Sequence, residues 1–507
     1  MERFISTSRR RSSSAKHASL PDTAENLLIA TQSDRARLIY SAAFRRLQQK
    51  AQVFSLENNS SVRSRLTHSI EVSHIGRYIV AKINEKLTTN KKINEKEKNF
   101  WIENSLAISN IVETACLMHD IGNPPFGHLG EAAIIEWSNS DEILAAMKNS
   151  LGKEQDELLS DFNNFDGNPQ GLRVITRLQG DDGYYGLNLT YTQLASFLKY
   201  TYCSKNIDKE KPFSKKTGYF STEKEIIEET WGKINLPPHT RHPLGYLMEA
   251  SDDISYCISD IEDGIEKKII TLDHFKEFTK NELIKLKDSK FKNDAAGVCD
   301  ELIKILNNEK NLPISNFLSF KTYLSNTLVD RAAIAFIENY DEFIEQRRHK
   351  SLISDDTFEF FLLKILKDYT AMNVFTSSDA ECMELSGFSI VKGILTEYTK
   401  LLSLKKEEFF FLLTKDNKEI SNKKFHIERR LFNRLPTKHI DAYKTSILKL
   451  PTNDSEYNND NLKNKLIKTD KETEWNLRAH LIVDFVSGMT DLFSMDMYQL
   501  LKGIRVK

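Results

Sequence analysis

The chain has 507 residues, and its 71 Lys and Arg residues are balanced by 72 Asp and Glu residues, which gives a formal net charge of -1. This balance excludes a globally basic or acidic binding protein, so any contact with nucleic acid must be local. The five cysteines are widely spaced and form no Cys-x-x-Cys pair, and no segment has the roughly 18 uninterrupted apolar residues of a membrane helix. We therefore expect a soluble cytoplasmic protein without disulfides.

Apolar residues follow a helical period along most of the chain, which predicts a mainly α fold with additional helical lobes and few short strands. One such strand is predicted at Phe388–Val391. The length predicts either one large helical domain with appended lobes or two domains. Four polar runs punctuate the chain. They predict a mobile N-terminus at residues 6–16, two loops at residues 88–99 and 204–216, and a C-terminal insertion at residues 453–474.

The first helix of interest carries His68. Val72, Ile75, Ile79 and Ile83 recur at spacings of three and four residues after Thr67, which we interpret as the N-cap. His68 is therefore predicted to lie in the first turn, on the buried face. A single histidine in such a position is more often a satisfied core residue than a metal ligand.

A second helix ends in the dipeptide His119-Asp120. Ile111, Ala115 and Met118 form its apolar stripe, and the run Gly122-Asn123-Pro124-Pro125 stops the helix. The dipeptide is therefore predicted to lie where a helix opens into a loop, with both side chains available to a ligand.

A third helix is predicted from Leu247 to about Ile265. One side is apolar, with isoleucines at positions 254, 258, 261 and 265. Asp252, Tyr256 and Asp260 follow one another at four-residue spacing on another side. One histidine, a His-Asp pair and a later aspartate indicate a mixed nitrogen and oxygen site for a divalent metal, and therefore metal-assisted hydrolysis.

A possible acid-base pair follows the glycine- and proline-rich loop. His128 and Glu131 stand three residues apart, so both can point to one side of a helix start. A histidine braced by a carboxylate suits proton transfer near neutral pH. The alternative is a structural salt bridge at a helix N-terminus.

Three motifs carry a family resemblance. The runs Arg65-Leu66-Thr67-His68-Ser69, His119 to His128 and Glu249 to Tyr256 resemble, in order and separation, those of the HD-domain phosphohydrolases. Within that superfamily the chain resembles the bacterial enzymes that hydrolyse dGTP. The resemblance runs from Arg45 to Leu492, with departures at residues 404–427 and 453–474. It implies a flexible N-terminus at residues 1–30 and an HD-domain catalytic core at residues 31–270, with the HD motif region at about 65–257. A mainly helical C-terminal region at residues 271–507 would complete the nucleotide pocket. An arginine expected to reach the nucleotide from residues 404–427 stays unassigned.

The resemblance implies a role for each matching residue. His68, His119, Asp120 and Asp252 would hold the metal, with Asp252 preferred to Asp253 because the family places a tyrosine, here Tyr256, four residues after the ligand. His128 and Glu131 would be the catalytic pair. The implied contacts of the sugar are Gln52, Val53, Asp260 and Tyr256. The implied contacts of the triphosphate are Arg65, Asn168, Lys199, Tyr200 and Lys216. The implied contact of the base is Glu384.

The implied reaction is attack of water on the α-phosphate of dGTP, with release of deoxyguanosine and inorganic triphosphate. Mg²⁺ is the expected ion, and Mn²⁺ or Co²⁺ could replace it. Two alternatives stay open. One is a broader dNTP triphosphohydrolase or a phosphodiesterase with the same metal site, and the other is a single-stranded nucleic-acid-binding protein with an idle metal site.

The resemblance also implies partners beyond the substrate. The family suggests a homo-oligomer, either a hexamer or a tetramer, whose contacts come from the C-terminal region, together with binding of single-stranded DNA. No membrane partner is expected. Three basic clusters could contact phosphates, although such runs are more often solvated faces: Arg9 to Arg11, Arg347 to Lys350, and Arg429-Arg430.

Overall fold

The computed structural model describes residues 1–11, 24–57 and 59–504, and helices dominate them. Over these ranges no strand forms, and the isolated β-bridges join Arg9 to Thr190, Ala51 to Ser64 and Cys203 to Tyr219. The mainly α prediction is confirmed. None of the helices in the described part of the chain is long and apolar enough to cross a membrane.

The helices of the first half are α1 Ala24–Ile39, α2 Ala42–Arg46, α3 Arg65–Leu87, α4 Glu95–Glu103, α5 Ser105–Met118, α6 Gly127–Ser138, α7 Asp141–Leu151, α8 Ser160–Asn163, α9 Gly167–Arg173, α10 Tyr191–Phe197, α11 Lys224–Lys233 and α12 Pro243–Glu266. The helices of the second half are α13 Leu272–Lys287, α14 Lys292–Leu306, α15 Pro313–Glu338, α16 Tyr340–Ile344, α17 Phe358–Asn373, α18 Ser378–Leu402, α19 Lys406–Thr414, α20 Asn417–Asn422, α21 His426–Phe432, α22 Thr437–Leu448, α23 Asn459–Lys468, α24 Lys471–Ser487 and α25 Asp491–Leu501.

One sequence-based expectation about local structure is wrong. The strand predicted at residues 388–391 lies inside α18, where Ile390, Val391, Ile394 and Leu395 are buried at helical spacing. Tertiary packing of this stripe outweighs the strand preference of two β-branched residues. The insertion predicted at residues 453–474 contains helix α23, because its Leu462 reaches the core.

The N-terminal end also differs from the prediction of a flexible segment over residues 1–30. Phe4 is buried, the guanidinium of Arg9 pairs with Asp34, and α1 begins at Ala24. These contacts anchor residues 1–11 to the body of the protein, while residues 12–23 lie outside the described part.

The buried apolar side chains form two hydrophobic cores. Most of the first core comes from α3, α5, α10 and α12 to α17, and most of the second comes from α6, α7, α18, α22 and α24. Helices from both sides of residue 270 contribute to the first core, so the division of the chain at that residue stays a prediction.

Three helices cross closely inside the first core, where α3 packs against both α5 and α12. The crossing depends on Gly76 of α3, because a Cβ at that position would lie 2.8 Å from Cys116 Sγ of α5 and 3.2 Å from Ser251 Oγ of α12. A larger residue would push the helices apart. Helix α3 starts one turn earlier than expected, since Ser64 is its N-cap and Thr67 completes a capping box.

Candidate active site

A cavity of about 460 Å³ lies where residues of both cores meet. All of the predicted site residues line it except Asp260. Those lining residues are Gln52, Val53, Arg65, His68, His119, Asp120, His128, Glu131, Asn168, Lys199, Tyr200, Lys216, Asp252, Tyr256 and Glu384. The fold thus brings residues more than 300 positions apart in the chain into one wall.

The predicted metal ligands converge at the floor of this cavity. His68, His119 and Asp120 each offer one ligand atom, and these atoms lie within 4.8 Å of one another. Asp252 Oδ1 lies 3.6 Å from His68 Nε2 and 3.5 Å from His119 Nε2. His68 is fully buried, and neither of its ring nitrogens has a hydrogen-bond partner among the described residues. A buried imidazole without a partner, beside carboxylates, fits a divalent ion as the missing partner.

Neighbouring groups orient these ligands. His119 Nδ1 lies 2.7 Å from the Cys116 carbonyl, so donation to that carbonyl leaves Nε2 as the electron-pair donor toward the cavity. Arg65 donates to Asp120 Oδ2 at 2.6 Å, and the Asn123 amide donates to Oδ1 at 2.7 Å. Arg65, expected from the resemblance to contact the substrate, therefore also holds a metal ligand in place.

The electrostatics keep both carboxylates ionised. Burial by itself raises the pKa of Asp120, but Arg65 and His119 outweigh it and lower that pKa to about 2. Burial likewise opposes ionisation of Asp252, yet His119, His68 and Lys199 hold its pKa well below the usual range. Ionised carboxylates beside imidazoles form the donor set that a hard or borderline divalent ion requires.

His128 and Glu131, which we predicted to be the catalytic pair, contact each other. His128 is the second residue of α6, its Nδ1 donates to Glu131 Oε2 at 2.8 Å, and its ring is 83% exposed toward the cavity. The other oxygen of Glu131 accepts the backbone N–H of Gly167 at 2.8 Å. Glycine is required at residue 167, since a Cβ there would lie 1.8 Å from the Asn123 amide oxygen. Glu131 is thus held from two sides, and Nε2 of His128 is left to face a ligand.

One end of the cavity is cationic. Asp166 accepts hydrogen bonds from the Asn168 amide and from Lys216 Nζ, each at 2.5 Å. Lys199 Nζ lies 3.6 Å from Asp252 Oδ2, and the pKa of Lys199 stays above its usual value because Asp252 and Glu249 outweigh the effect of burial. Tyr200 completes this end, which suits a polyphosphate.

A second group of lining residues, which we call the sugar end, carries fewer charges. It consists of Gln52, Val53, Tyr256 and Glu384, and the side-chain oxygen of Gln52 is buried without a partner in the described residues. Asp260 is fully buried but does not line the cavity, and burial together with Asp263 raises its pKa well above the usual range. A substrate contact for Asp260 stays a prediction.

The sequence analysis missed several residues of the cavity wall. Lys367 of α17 donates to Asp253 Oδ1 at 2.8 Å, and Phe375 and Met383 extend the apolar wall. Asp166 lies two residues before Asn168 in the sequence, but no role was expected for it. Only the packing of α17 on α12 brings Lys367 to the site, and no local pattern around Lys367 signals this contact.

Two of the three basic clusters are neutralised by carboxylates. Arg9, Arg10 and Arg11 pair with Asp34, Glu229 and Asp182, and Arg347, Arg348 and Lys350 pair with Glu345, Glu342 and Asp356. These contacts favour the interpretation of both runs as charge-balanced surfaces rather than as phosphate-binding patches.

The amino-acid sequence is similar to those of known proteins over most of its length. The model of the HD domain matches residues 65–164. Deoxyguanosinetriphosphate triphosphohydrolases of Salmonella paratyphi A and Salmonella typhimurium are 35% and 34% identical to this chain, each over 95% of both chains. The protein of that name from Yersinia enterocolitica is 34% identical over 92% of both chains. The helical fold and the His-Asp cavity define an HD-domain protein. More narrowly, the chain belongs to the deoxyguanosinetriphosphate triphosphohydrolase family.

The first prediction concerns the metal. His119→Ala removes one donor of the cluster, so we expect the affinity for Mn²⁺ to fall by at least ~100-fold, since the loss of a mere supporting contact already weakens metal binding 10- to 100-fold. Titration calorimetry measures this affinity. His74→Ala is the matched control, because His74 lies on the exposed face of α3. Near-normal Mn²⁺ affinity in His119→Ala would remove His119 from the ligand set.

Proposed function

We propose that this protein hydrolyses dGTP to deoxyguanosine and inorganic triphosphate in a reaction that requires a divalent metal ion. The observation that carries the proposal is one cavity in which the cluster of His68, His119 and Asp120 lies beside His128 and a cationic end. Sequence identity of 35% to proteins named deoxyguanosinetriphosphate triphosphohydrolase supports the same substrate.

The reaction joins a water oxygen to the α-phosphorus and breaks the bond from that phosphorus to the 5'-oxygen of the nucleoside. A divalent ion held by His68, His119, Asp120 and Asp252 would supply Lewis-acid activation of the phosphoryl group and of water. Mg²⁺ is our choice for the physiological ion, because oxygen-rich ligation by two carboxylates and a polyphosphate suits it.

His128 provides the proton that the leaving 5'-oxygen needs. Its Nδ1–H is committed to Glu131, so the proton on Nε2 of the imidazolium points away from that carboxylate. The hydrogen bond that His128 donates to Glu131 raises the pKa of His128 above its usual value, which increases the fraction of the acid form near neutral pH. Arg65 and Lys216 act in the opposite direction but are outweighed.

The cationic end binds and orients the triphosphate. Asn168, Lys199, Tyr200 and Lys216 surround this end, and the two lysines offset the charge of a polyanion that must lie close to two carboxylates. Arg65 would add a further cation beside the α-phosphate.

The sugar end of the cavity selects the nucleoside. Gln52, Val53 and Asp260 are our choices for the 3' side of the sugar, and Tyr256 for the edge that a 2'-hydroxyl would occupy. Guanine presents two neighbouring N–H donors on its pairing edge, and a carboxylate is an acceptor for both, so Glu384 is suited to read it.

A product analysis tests the function. The full chain is incubated with each of the four dNTPs or GTP, with Mg²⁺ or Mn²⁺, and the products are resolved by ion exchange. We expect triphosphate and deoxyguanosine from dGTP. Equal turnover of all dNTPs would establish a broader triphosphohydrolase, and turnover of a phosphodiester but of no dNTP would indicate a phosphodiesterase. DNA binding without turnover would favour the nucleic-acid-binding alternative.

The family resemblance also supports proposals about partners and location. We infer a cytoplasmic homo-oligomer, hexameric or tetrameric, that binds single-stranded DNA. Light scattering of the purified chain measures the oligomer. Fluorescence anisotropy with a labelled oligonucleotide, over a range of salt concentrations, measures the binding.

A second prediction separates chemistry from binding. His128→Ala should lower kcat by roughly 10² to 10⁴-fold, the usual contribution of a positioned acid, while the Mn²⁺ affinity stays close to wild type. Because the wild-type ring is 83% exposed, added imidazole should reach the vacated space and restore part of the rate. A lost metal site in this variant would instead make His128 a ligand.

A third prediction concerns pH. If protonated His128 is the acid, kcat falls as pH rises through its pKa, which the Glu131 carboxylate raises. Glu131→Gln removes that charge, so the alkaline limb of the kcat profile should move to lower pH. Arg65, Lys216 and Glu384 also face His128 and are unchanged in the variant. Glu136→Gln, on the exposed side of α6, should leave the limb in place, and an unmoved limb in Glu131→Gln would refute the role of Glu131.

A fourth prediction concerns the sugar. Tyr256→Ala should raise the ratio of kcat/KM for GTP to that for dGTP, because removal of the ring makes room for a 2'-hydroxyl. Tyr256→Phe keeps the ring and should leave the ratio unchanged. If the two variants give the same ratio, the discrimination against ribose lies elsewhere in the cavity.

A further inference from the structure

A buried lysine next to the cavity holds two distant backbone segments. Lys50 is 4% exposed, and its Nζ donates to the carbonyl of Asn123 at 2.5 Å and to the carbonyl of Ser487 at 2.7 Å. Asn123 follows the His119-Asp120 pair, and Ser487 is the last residue of α24. The lysine thus ties the C-terminal end of α24 to the loop that carries two metal ligands.

A buried aspartate makes the complementary contacts from the other side. Asp491, at the start of α25, is 3% exposed; its Oδ2 accepts the backbone N–H of Ala51 at 3.0 Å, and its Oδ1 accepts that of Phe126 at 3.1 Å. We call these two hydrogen bonds and the two from Lys50 the backbone brace. Residues 50–51, 123–126 and 487–491 meet in it.

Each braced segment continues directly into proposed active-site groups. Residues 50–51 lead to Gln52 and Val53 at the sugar end. Asn123 holds Asp120 through its side chain, and Phe126 immediately precedes the first turn of α6, which contains His128. Phe126 has the left-handed backbone conformation, φ 60 and ψ 22, which residues other than glycine adopt only when their surroundings impose it. The hydrogen bond to Asp491 is one such constraint.

Lys50 and Asp491 form hydrogen bonds with backbone groups rather than an ion pair with each other. Lys50 and Asp491 form no ion pair within 4 Å in the described residues, and burial works against both, since it lowers the pKa of Lys50 to about 7 and raises that of Asp491. Buried charges are poor stabilisers compared with apolar residues of similar volume. Their chemistry matches a positioning task, because an ammonium donates to two carbonyls and a carboxylate accepts two N–H groups at once.

We propose that Lys50 and Asp491 are positioning residues, whose backbone brace holds the metal-ligand loop, the start of α6 and the sugar-binding segment in one catalytic arrangement. The catalytic part of this proposal rests on the function proposed above. Neither Lys50 nor Asp491 lines the cavity, so both would act through Asp120, His128 and Gln52.

The test uses Lys50→Met and Asp491→Asn in the full chain. Methionine keeps the length of the side chain without a donor, and asparagine keeps the shape but accepts fewer N–H groups. We expect kcat for dGTP to fall about 10- to 100-fold in each variant, with a smaller change in KM, because the triphosphate-binding lysines are unaffected. The loss in the double variant should be smaller than the product of the single losses, as for groups that act as a unit.

Hydrogen-deuterium exchange gives a readout that is independent of activity. In the active-site region, exchange should speed up in residues 50–56 and 119–128, and elsewhere a change is expected only at residues 487–491, the third segment of the backbone brace. The matched control is Glu474→Gln, which breaks a buried contact of a carboxylate with Arg478 and Tyr443 in the second core. That variant should lose stability while kcat and exchange at the two segments stay at wild-type values.

The outcomes are distinguishable. If kcat in both brace variants stays within about twofold of wild type, or exchange rises along the whole chain, the positioning role is refuted. If one variant fails to fold, the other decides. A wild-type protein that hydrolyses no dNTP would refute the proposed function, and the exchange pattern alone would then show whether the brace orders these segments.

Discussion

The close crossing of α3, α5 and α12 is the constraint on which the cavity depends. Gly76 lets α3 approach Cys116 of α5 and Ser251 of α12. His119 lies within one turn of Cys116, at the end of α5, and Asp252 directly follows Ser251 in the middle of α12. His68 comes from the first turn of α3 itself. His68 and Asp252 are therefore fixed by packed helices, and the turn that carries His119 and Asp120 starts directly at the end of α5, so helix packing largely sets the spacing of the ligands.

Around this crossing, each of three cationic side chains lies beside a carboxylate. Arg65 holds Asp120, Lys199 lies beside Asp252, and Lys216 pairs with Asp166. A polyphosphate brings its negative charge into a wall whose cations are already oriented by carboxylates. The carboxylates thus limit the conformations of the lysines, which lowers the entropy lost when a phosphate binds.

The local patterns of the sequence predicted much of this arrangement. The apolar stripe after Thr67 placed His68 on a buried helix face, and Gly122 to Pro125 marked the end of α5 beside His119. Lys50, Lys367 and Asp491 could not be predicted in the same way. Each acts through a partner more than 70 residues away, so its role depends on tertiary packing and leaves no periodic signal. The strand expected at residues 388–391 failed for the same reason.

The neighbouring aspartates 252 and 253 show how finely helix rotation divides the roles in such a site. Successive residues of an α-helix differ by about 100° around the axis, so two adjacent carboxylates cannot face the same neighbours. Asp252 points to His68 and His119, whereas Asp253 pairs with Lys367 of α17. Tyr256, four residues after Asp252, then stands above the same face. If α12 shifted by one residue, Asp253 would replace Asp252 beside the two imidazoles and would lose its contact with Lys367. The same shift would turn Tyr256 away from the cavity. The register of α12 is therefore as much a part of the proposed site as the ligands themselves.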